Sequence, residues 1–549
     1  MYLTIDYDKT KNKGIIKSEF LENIRFHFSE EDKKQAMKKR LYKRRFIADR
    51  RHIITQSGRF DLGLFWEILK YLKELKTPFQ LVLSEEFKQV INTKFPWVTK
   101  EIVDDKNIYL KSGLSLVPRP YQAECISKML YHGSGTILMP TASGKTPVIA
   151  LFTGIANNFD STTKTLIITL PHLIKQIYDE FVNNGYDPTN IAMWDADYEL
   201  NPAAKIVICS NSILYYRIDN VELNLRKNKE AIKGIYEIFA KTDLSNEERK
   251  MWSSKLTELE TDKRLLTTQL NVQKETIPFF NSINLLIVDE VHIMKKDNEF
   301  NVITDFIRTK HYYGFTGTLP ASQIDVWNIF GKVGPLIFSE PRESLVANNY
   351  IADTLVKILA IFYKDSPQYE PLEKEKNAIL NYKYQKESEF LHQHPFRNTV
   401  IKKMCASLEK NVLIIVDRID HGEHLFKVLS TLENKRVYFI QGEVENDIRD
   451  DIKKEMEQLN NVICIAISKI FSTGVNIKNL PFIMLASSGK AKEKIIQSIG
   501  RGVRLHPDKK KLIFIDIADV LIYGISHLKE RIKLYEDEKI KYEITKIRE

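Results

Sequence analysis

The chain is poor in cysteine, glycine and proline, and it has no long apolar run. Its four cysteines, Cys125, Cys209, Cys405 and Cys464, stand far apart with no C-x-x-C pair, which excludes a disulfide framework and a thiolate zinc module. They read as buried thiols in a reducing compartment, and a cytoplasmic location is expected. With 21 glycines and 18 prolines in 549 residues, a collagenous or low-complexity chain is excluded. No apolar stretch approaches the roughly 18 residues a membrane span requires, and no membrane partner is expected. The start, Met1 to Asp8, lacks the basic-then-apolar order of a signal peptide. His132, His292, His421 and His506 show no metal-ligand spacing, so none is read as a ligand.

What is present is a globular composition, 43% hydrophobic and 28% charged. The length exceeds what one core usually holds and implies about three domains. A net charge of +10 favours a polyanionic partner. Much of that charge is local: Lys33, Lys34, Lys38, Lys39, Arg40, Lys43, Arg44, Arg45, Arg50 and Arg51 form a basic run, followed by an amphipathic stretch from Leu62 to Leu75. Residues 1–112 therefore read as a separate small basic domain of α+β type. Lys43, Arg44 and Arg45 are its candidate phosphate contacts, with a solvated charged face as the plainer alternative.

From Leu138 onward short apolar runs recur at Thr165 to Leu170, Lys205 to Cys209, Leu285 to Val288, Val412 to Val416, Val462 to Ile467 and Leu512 to Ile517. Most lack the alternation of a half-exposed strand. They fit parallel strands buried on both faces, separated by helices, in an α/β fold of two doubly wound parallel-sheet lobes. The lobes are expected over 113–345 and 346–549, with a charged stretch from Tyr363 to Lys386 near their junction. Residues 221–274 exceed a minimal lobe. Ser245 and Glu248 are spaced as a capping box, and Trp252, Leu256, Leu259, Leu266 and Leu270 keep a heptad-like seam broken at Lys263. Pro278 is expected to end the second helix. The prediction is a helical hairpin inserted in the first lobe, either packed on itself or used to bind a protein partner.

Three clusters carry chemistry. The stretch Thr136 to Thr146 sets an apolar strand before a loop, Pro140-Thr141-Ala142-Ser143-Gly144-Lys145-Thr146, that ends in Gly-Lys-Thr. Backbone N–H groups of such a loop cradle phosphates, Lys145 reaches the β and γ oxygens of ATP, and the Thr146 hydroxyl ligates Mg²⁺. Met139 stands where the generic pattern has glycine. The strand Leu285-Leu286-Ile287-Val288 ends in Asp289-Glu290-Val291-His292, so two carboxylates emerge at one strand tip. Asp289 would hold Mg²⁺ through its water shell, and Glu290 would orient and deprotonate the attacking water. Downstream, Arg501 and Arg504, three apart in Gln497-Ser498-Ile499-Gly500-Arg501-Gly502-Val503-Arg504, would share a helix face and serve as finger and sensor for the γ-phosphate.

Together these elements resemble superfamily 2 helicases, whose phosphate loop often reads Pro-Thr-x-x-Gly-Lys-Thr and tolerates the Met139 departure. Arg119-Pro120-Tyr121-Gln122 resembles the adenine-reading Q motif, Thr169-Leu170-Pro171 motif Ia, Asp289 to His292 motif II, and Thr316-Gly317-Thr318 motif III. Phe471-Ser472-Thr473-Gly474-Val475-Asn476 resembles motif V, Gln497 to Arg504 motif VI, and Val412 to His421 occupies the place of motif IV. Within that superfamily the chain resembles the bacteriophage UvsW-type recombination helicases. The resemblance runs through Phe471 to Leu480, Gly314 to Leu319, the tail Arg531 to Lys539 and, more loosely, Gly63 to Ile68.

The resemblance implies two tandem RecA-like lobes and ATP with Mg²⁺ as cofactors. Arg119 and Gln122 would read the adenine, Gln497 would join the arginines at the catalytic site, and Thr316, Gly317 and Thr318 would couple the sites. Pro171, Ser472, Thr473 and Gly474 would contact nucleic acid. It further implies 3′ to 5′ travel and action on branched DNA, single strands and RNA–DNA hybrids, through branch migration, fork regression, R-loop unwinding and strand annealing. Two other readings stay open at this stage: an RNA helicase or RNA-stimulated ATPase, because the motor geometry grips either backbone, and a non-catalytic nucleic-acid clamp or scaffold.

Overall fold

In the computed structural model of the protein, every apolar run named above becomes a strand of one of two parallel sheets. The structure describes residues 2–32, 50–75, 77–218, 221–240, 245–296, 298–365, 376–441, 446–468, 477–487, 492–507, 509 and 511–549. Contacts divide the chain into two compact units, Met1–Leu138 with Thr146–Ser339, and Met139–Lys145 with Glu340–Glu549.

In the first unit the N-terminal strands are β1 (Tyr2–Asp8), β2 (Lys13–Lys17), β3 (Ser29–Glu31), β4 (Arg50–His52), β5 (Arg59–Asp61) and β6 (Gln80–Leu83). They make a four-stranded sheet in the order β5-β2-β1-β6 and a two-stranded antiparallel ribbon, β3-β4. Leu3 and Ile5 alternate inward from β1, the period-two pattern of a sheet with one buried face. The amphipathic stretch is a short 3₁₀ turn, Leu62–Leu64, and a helix, Phe65–Glu74, that buries Phe65, Ile68 and Leu72 at helical spacing.

This N-terminal part does not stand apart. Ile324 and Trp327, from the helix Gln323–Val333, belong to its hydrophobic core. Gly63 lies so close to that helix that a β-carbon would come within 2.2 Å of the Phe330 carbonyl oxygen. Asp61 sits beside Lys13 and 3.0 Å from Lys332, and both lysines also meet Asp305. Burial works to raise the Asp61 pKa, but Lys332 and Lys13 outweigh it and hold the carboxyl below its ordinary value. Glu30 adds a second tie, accepting from the Ser322 hydroxyl at 2.6 Å.

The large sheet of this unit comprises β7 (Gly135–Leu138), β8 (Thr165–Thr169), β9 (Ile191–Trp194), β10 (Ile206–Ser210), β11 (Leu285–Asp289), β12 (His311–Thr316) and β13 (Leu336–Ser339). Its order is β13-β7-β12-β11-β8-β10-β9, all parallel. Between β10 and β11 runs the expected hairpin, Val221–Phe239 and Asn246–Ser282. The capping box is present: Ser245 Oγ accepts from Glu248 N, and Glu248 Oε2 accepts from Ser245 N at 2.9 Å. Trp252, Leu256, Leu259, Leu266 and Leu270 are half-buried while Lys263 is exposed. Asn228 of the first helix donates to the Leu259 carbonyl at 3.1 Å, so the seam closes on its own neighbour. Pro278, by contrast, does not end the helix, which continues to Ser282. Phe279, Phe280 and Ile283 just beyond it are buried in the core beside Trp194, and that burial outweighs the lost hydrogen bond.

The second unit has the strands β14 (Asp353–Phe362), β15 (Val412–Val416), β16 (Arg436–Ile440), β17 (Val462–Ile467), β18 (Phe482–Leu485), β19 (Lys511–Asp519) and β20 (Lys541–Arg548). The order is β16-β17-β15-β18-β19-β14-β20, again all parallel. Arg397, 1% exposed, binds Asp519 at 2.9 Å, the Ala486 carbonyl at 2.7 Å and His421 at 3.2 Å. It ties together the carboxyl ends of β18 and β19 and the helix Ile419–Leu429. All four cysteines are buried and free. Among the described residues no helix is long and apolar enough to cross a membrane.

The Asp61 network generates a prediction for the first unit. Lys332→Met leaves Asp61 buried with one cation fewer and should destabilise the unit by about 3–5 kcal/mol in chemical denaturation. Adding Asp61→Asn should restore most of that loss. A double variant no more stable than the single one would show that the network is not what fastens the N-terminal strands.

Candidate functional site

Four neighbouring strands of the first large sheet, β7, β12, β11 and β8, carry the candidate residues at their carboxyl ends. The loop Met139–Lys145 follows β7 and leads into the helix Lys145–Phe159. Thr316 ends β12 in register with Leu138 of β7, and Asp289 ends β11 in register with Phe315 of β12. Pro171 opens a 3₁₀ turn just past β8. Residues 145, 171, 289 and 316 are scattered in sequence, yet their strands are consecutive in space. Because the sheet is parallel, all four strand ends share one edge.

The loop after β7 turns through two left-handed residues, Ala142 at φ 68° and Gly144 at φ 83°. Gly144 adopts that conformation without cost, whereas Ala142 is strained there. Such a turn lines up successive N–H groups at a helix start, the arrangement that binds anions. Pro140, Thr141 and Ser143 make up the rest of the loop, and Thr146 lies in the first turn of the helix. Arg119 and Gln122 sit at the start of the helix Pro120–His132, where the Gln122 side-chain oxygen accepts from the Arg119 N–H at 2.8 Å.

The acidic pair has a defined geometry. Asp289 is 5% exposed, and its Oδ1 accepts from the Glu290 N–H at 3.0 Å. Glu290 is held at φ 55°, a left-handed conformation that costs a non-glycine residue on the order of 1–3 kcal/mol. His292 Nδ1 lies 3.2 Å from Glu290 Oε2 and 3.0 Å from Thr316 Oγ1. The Thr316 hydroxyl donates to the Thr318 carbonyl at 2.8 Å and accepts from the Thr318 N–H at 3.3 Å. With its proton directed to Thr318, Thr316 can only accept from His292. Nδ1 therefore carries the hydrogen and shares it with the Glu290 carboxylate. The result is one hydrogen-bonded path from Glu290 through His292 to Thr316 and Thr318, with Gly317 in the intervening turn. Gly314 makes room for it, since a β-carbon there would lie 2.9 Å from the Val291 side chain.

In the second unit the helix Lys492–Gly502 carries Gln497 and Arg501, which are described by backbone position only. The helix stops at Gly502, so Arg504 lies in the turn beyond it and does not share a helix face with Arg501. The stop has a visible partner. Lys509 Nζ donates to the Gly502 carbonyl at 2.8 Å and to the Lys478 carbonyl at 2.8 Å. A cation on the last carbonyls of a helix satisfies groups the helix cannot. Burial lowers the Arg504 pKa, opposed by Glu457. Ser472, Thr473 and Gly474, and Lys43, Arg44 and Arg45, lie outside the described residues.

The comparisons with known proteins agree with this layout. Residues 115–321 match the family model described as "Type III restriction enzyme, res subunit", and residues 397–506 match "Helicase conserved C-terminal domain". The ATP-dependent DNA helicase UvsW of Enterobacteria phage T4 is 25% identical over 294 residues, 50% of this chain and 57% of the relative. The chain thus spans little more than half the length of that relative. These matches support a superfamily 2 helicase close to UvsW. The crystal structure of T4 UvsW covers 100% of both chains at 18% identity with a TM-score of 0.43. A DNA-bound Type ISP restriction-modification enzyme, LlaBIII, shares the fold with a TM-score of 0.50 at 10% identity, over 88% of this chain and 34% of its own.

The sequence assigns no separate role to two residues that the structure sets among these elements. His292 has no metal-ligand spacing, but its place two residues after Glu290 was the available signal. Lys509 sits in the run Lys509-Lys510-Lys511, where nothing distinguishes a buried lysine from a solvated one. Burial lowers the Lys509 pKa to about 8 against the pull of Glu457, with Arg504 adding to the depression. The folded value lies below the unfolded one of 10.5, so between about pH 8 and 10.5 the unfolded chain binds more protons and rising pH favours folding at this position. The stability difference between wild type and Lys509→Met should be flat below about pH 8 and should shift toward wild type above it. Urea midpoints across that range would read this, and parallel curves would show that Lys509 titrates normally.

Proposed function

We propose that this chain is an ATP-hydrolysing motor that travels on nucleic acid and remodels branched DNA. The observation that carries the reading is the shared carboxyl edge of β7, β12, β11 and β8. It sets a strained loop, the buried Asp289 with the half-buried Glu290, and a hydrogen-bonded path to Thr318 on consecutive strands. The phage relative bears the name of an ATP-dependent DNA helicase, which favours DNA over RNA as the track.

In this reading the N–H groups of Pro140 to Gly144, proline excepted, receive the phosphates of ATP, Lys145 neutralises the β and γ oxygens, and Arg119 with Gln122 holds the adenine. The Thr146 hydroxyl and the Asp289 carboxylate are hard oxygen donors of the kind that hold Mg²⁺, and the near-complete burial of Asp289 at a strand tip fits a carboxylate reserved for a cation. The ion would neutralise charge on the transferring phosphoryl group. Glu290 accepts a proton from the water that attacks the γ-phosphorus, and the bond to the β-bridging oxygen breaks to release ADP and phosphate. Gln497, Arg501 and Arg504 supply positive charge and hydrogen bonds to the same phosphoryl oxygens. The Glu290–His292–Thr316 path transmits the state of the site to Gly317 and Thr318. Pro171 and the motif V residues Ser472, Thr473 and Gly474 take the phosphodiester backbone, as do Lys43, Arg44 and Arg45 of the basic run, giving sequence-independent travel of 3′ to 5′ polarity.

The test is ATP turnover and strand displacement on a four-way DNA junction, single-stranded DNA and an RNA duplex. The junction should stimulate turnover most and should be branch-migrated. Glu290→Gln should lower kcat by about 10²–10⁴-fold, and Lys145→Ala should abolish turnover. Stimulation by RNA alone would replace the DNA reading with an RNA motor. Undiminished remodelling by Lys145→Ala would leave only a non-catalytic clamp.

A further inference from the structure

One surface of the N-terminal strands carries groups that the ATPase chemistry does not use. On the helix Leu21–His27, Phe26 is 61% exposed, an unusual position for a large aromatic ring on a short helix. The guanidinium of Arg50, on β4, lies 4.3 Å from the centre of that ring. Arg50 is fixed there: its Nε donates to Ser29 Oγ at 2.8 Å and its Nη2 to the Ser29 carbonyl at 3.1 Å. Ser29 Oγ in turn donates to the Phe26 carbonyl at 2.6 Å. Beside this pair, the His27 ring stacks on Tyr71 with centroids 3.8 Å apart and planes 18° apart. Burial lowers the His27 pKa, opposed by Glu74. Phe26, His27, Arg50 and Tyr71, with Glu22 and Asn23, line an open depression of about 560 Å³.

Each property points to the same occupant. Flat delocalised faces held in place suit another flat ring, and a guanidinium pinned over a phenyl ring offers such a face together with positive charge. An aliphatic or lipid group would gain nothing from the arginine. An acidic peptide would gain nothing from two aromatic planes. The depression has the size of a nucleoside site. In sequence, Arg50 and Arg51 close the basic run from Lys33 to Arg45, so a polyanion is drawn to this part of the chain.

We infer that Phe26 and Arg50 form a stacking site for an unpaired base of a nucleic-acid strand, with His27 and Tyr71 as its second wall. The inference rests on the proposed motor function and adds a contact to bases where that reading needs only contacts to the backbone. A junction-remodelling motor exposes unpaired bases where strands part. A stacking site on elements fastened to the first large sheet would hold one such strand while the motor advances.

The test uses the full chain and an oligonucleotide carrying 2-aminopurine, whose fluorescence falls on stacking. Wild type should quench the single-stranded probe on binding. Phe26→Ala should lose the quench and about tenfold or more in single-strand affinity, with duplex affinity, basal ATP turnover and thermal midpoint unchanged, while Phe26→Trp should keep the quench. An unchanged quench in Phe26→Ala overturns the proposal. An equal loss for duplex and single strand overturns it as well, because it reports a backbone contact. Displacement of the probe by an equal concentration of free mononucleotide would do the same, since the site would then take nucleotides and not a strand. If no DNA stimulates ATP turnover, the motor reading fails while the quench still reads this site.

Discussion

A parallel strand buried on both faces has nowhere to place a polar side chain except at its ends. That constraint governs this molecule. Leu285 to Val288 are all fully buried, and the first polar group of β11 is Asp289. Thr165 to Thr169 and His311 to Thr316 behave alike, running through the core and delivering their useful residues at the last position or just beyond. Because neighbours run the same way, the ends gather at one edge. Candidate residues written at four distant places in the sequence are brought to one edge by the order of the strands.

The same edge explains where strain is kept. Ala142 and Glu290 are two of the few non-glycine residues with positive φ among those described, and both follow a strand of this sheet. A left-handed turn right after a buried strand reverses the chain abruptly, so the next N–H groups and side chains face back over the strand ends. At Glu290 the turn also brings His292 round to Thr316 on the adjacent strand. Replacing the histidine contact by solvent would leave Glu290 strained and its carboxylate without that orienting partner. The strain and the hydrogen bonds therefore act together.

Much of this was legible in the sequence because uniform burial leaves a plain mark. Runs such as Leu285 to Val288 are too short and too apolar for anything but buried strands, and after Leu285–Val288 and Thr165–Leu170 the next residue, Asp289 or Pro171, is a functional candidate. The capping box at Ser245 and Glu248 was legible for a similar reason, since both partners are local. What was not legible depends on distant partners. Pro278 marks a helix end by local rules, yet Phe279 and Phe280 find Trp194, which is far away in sequence, and the helix continues. Arg501 and Arg504 have helical spacing, but Lys509 fixes the helix end at Gly502 between them. That the small N-terminal domain is fastened to the helix Gln323–Val333 was not legible, because a glycine packed against the Phe330 carbonyl is indistinguishable in sequence from one in a loop.

That last attachment has a mechanical consequence. Asp61 is held by Lys13 from its own sheet and by Lys332 from the helix Gln323–Val333, while Ile324 and Trp327 of that helix lie in the N-terminal core. A tether of one ion pair would let the N-terminal strands swing. A shared core combined with a charge network and a glycine contact does not, because each would have to break for the others to slide. The same helix follows β12 by only a few residues, and β12 ends in Thr316. Whatever the ribbon β3-β4 holds is thereby fixed relative to the strand ends that carry Asp289 and Thr316. A load on the N-terminal surface is borne by the sheet and not by a linker.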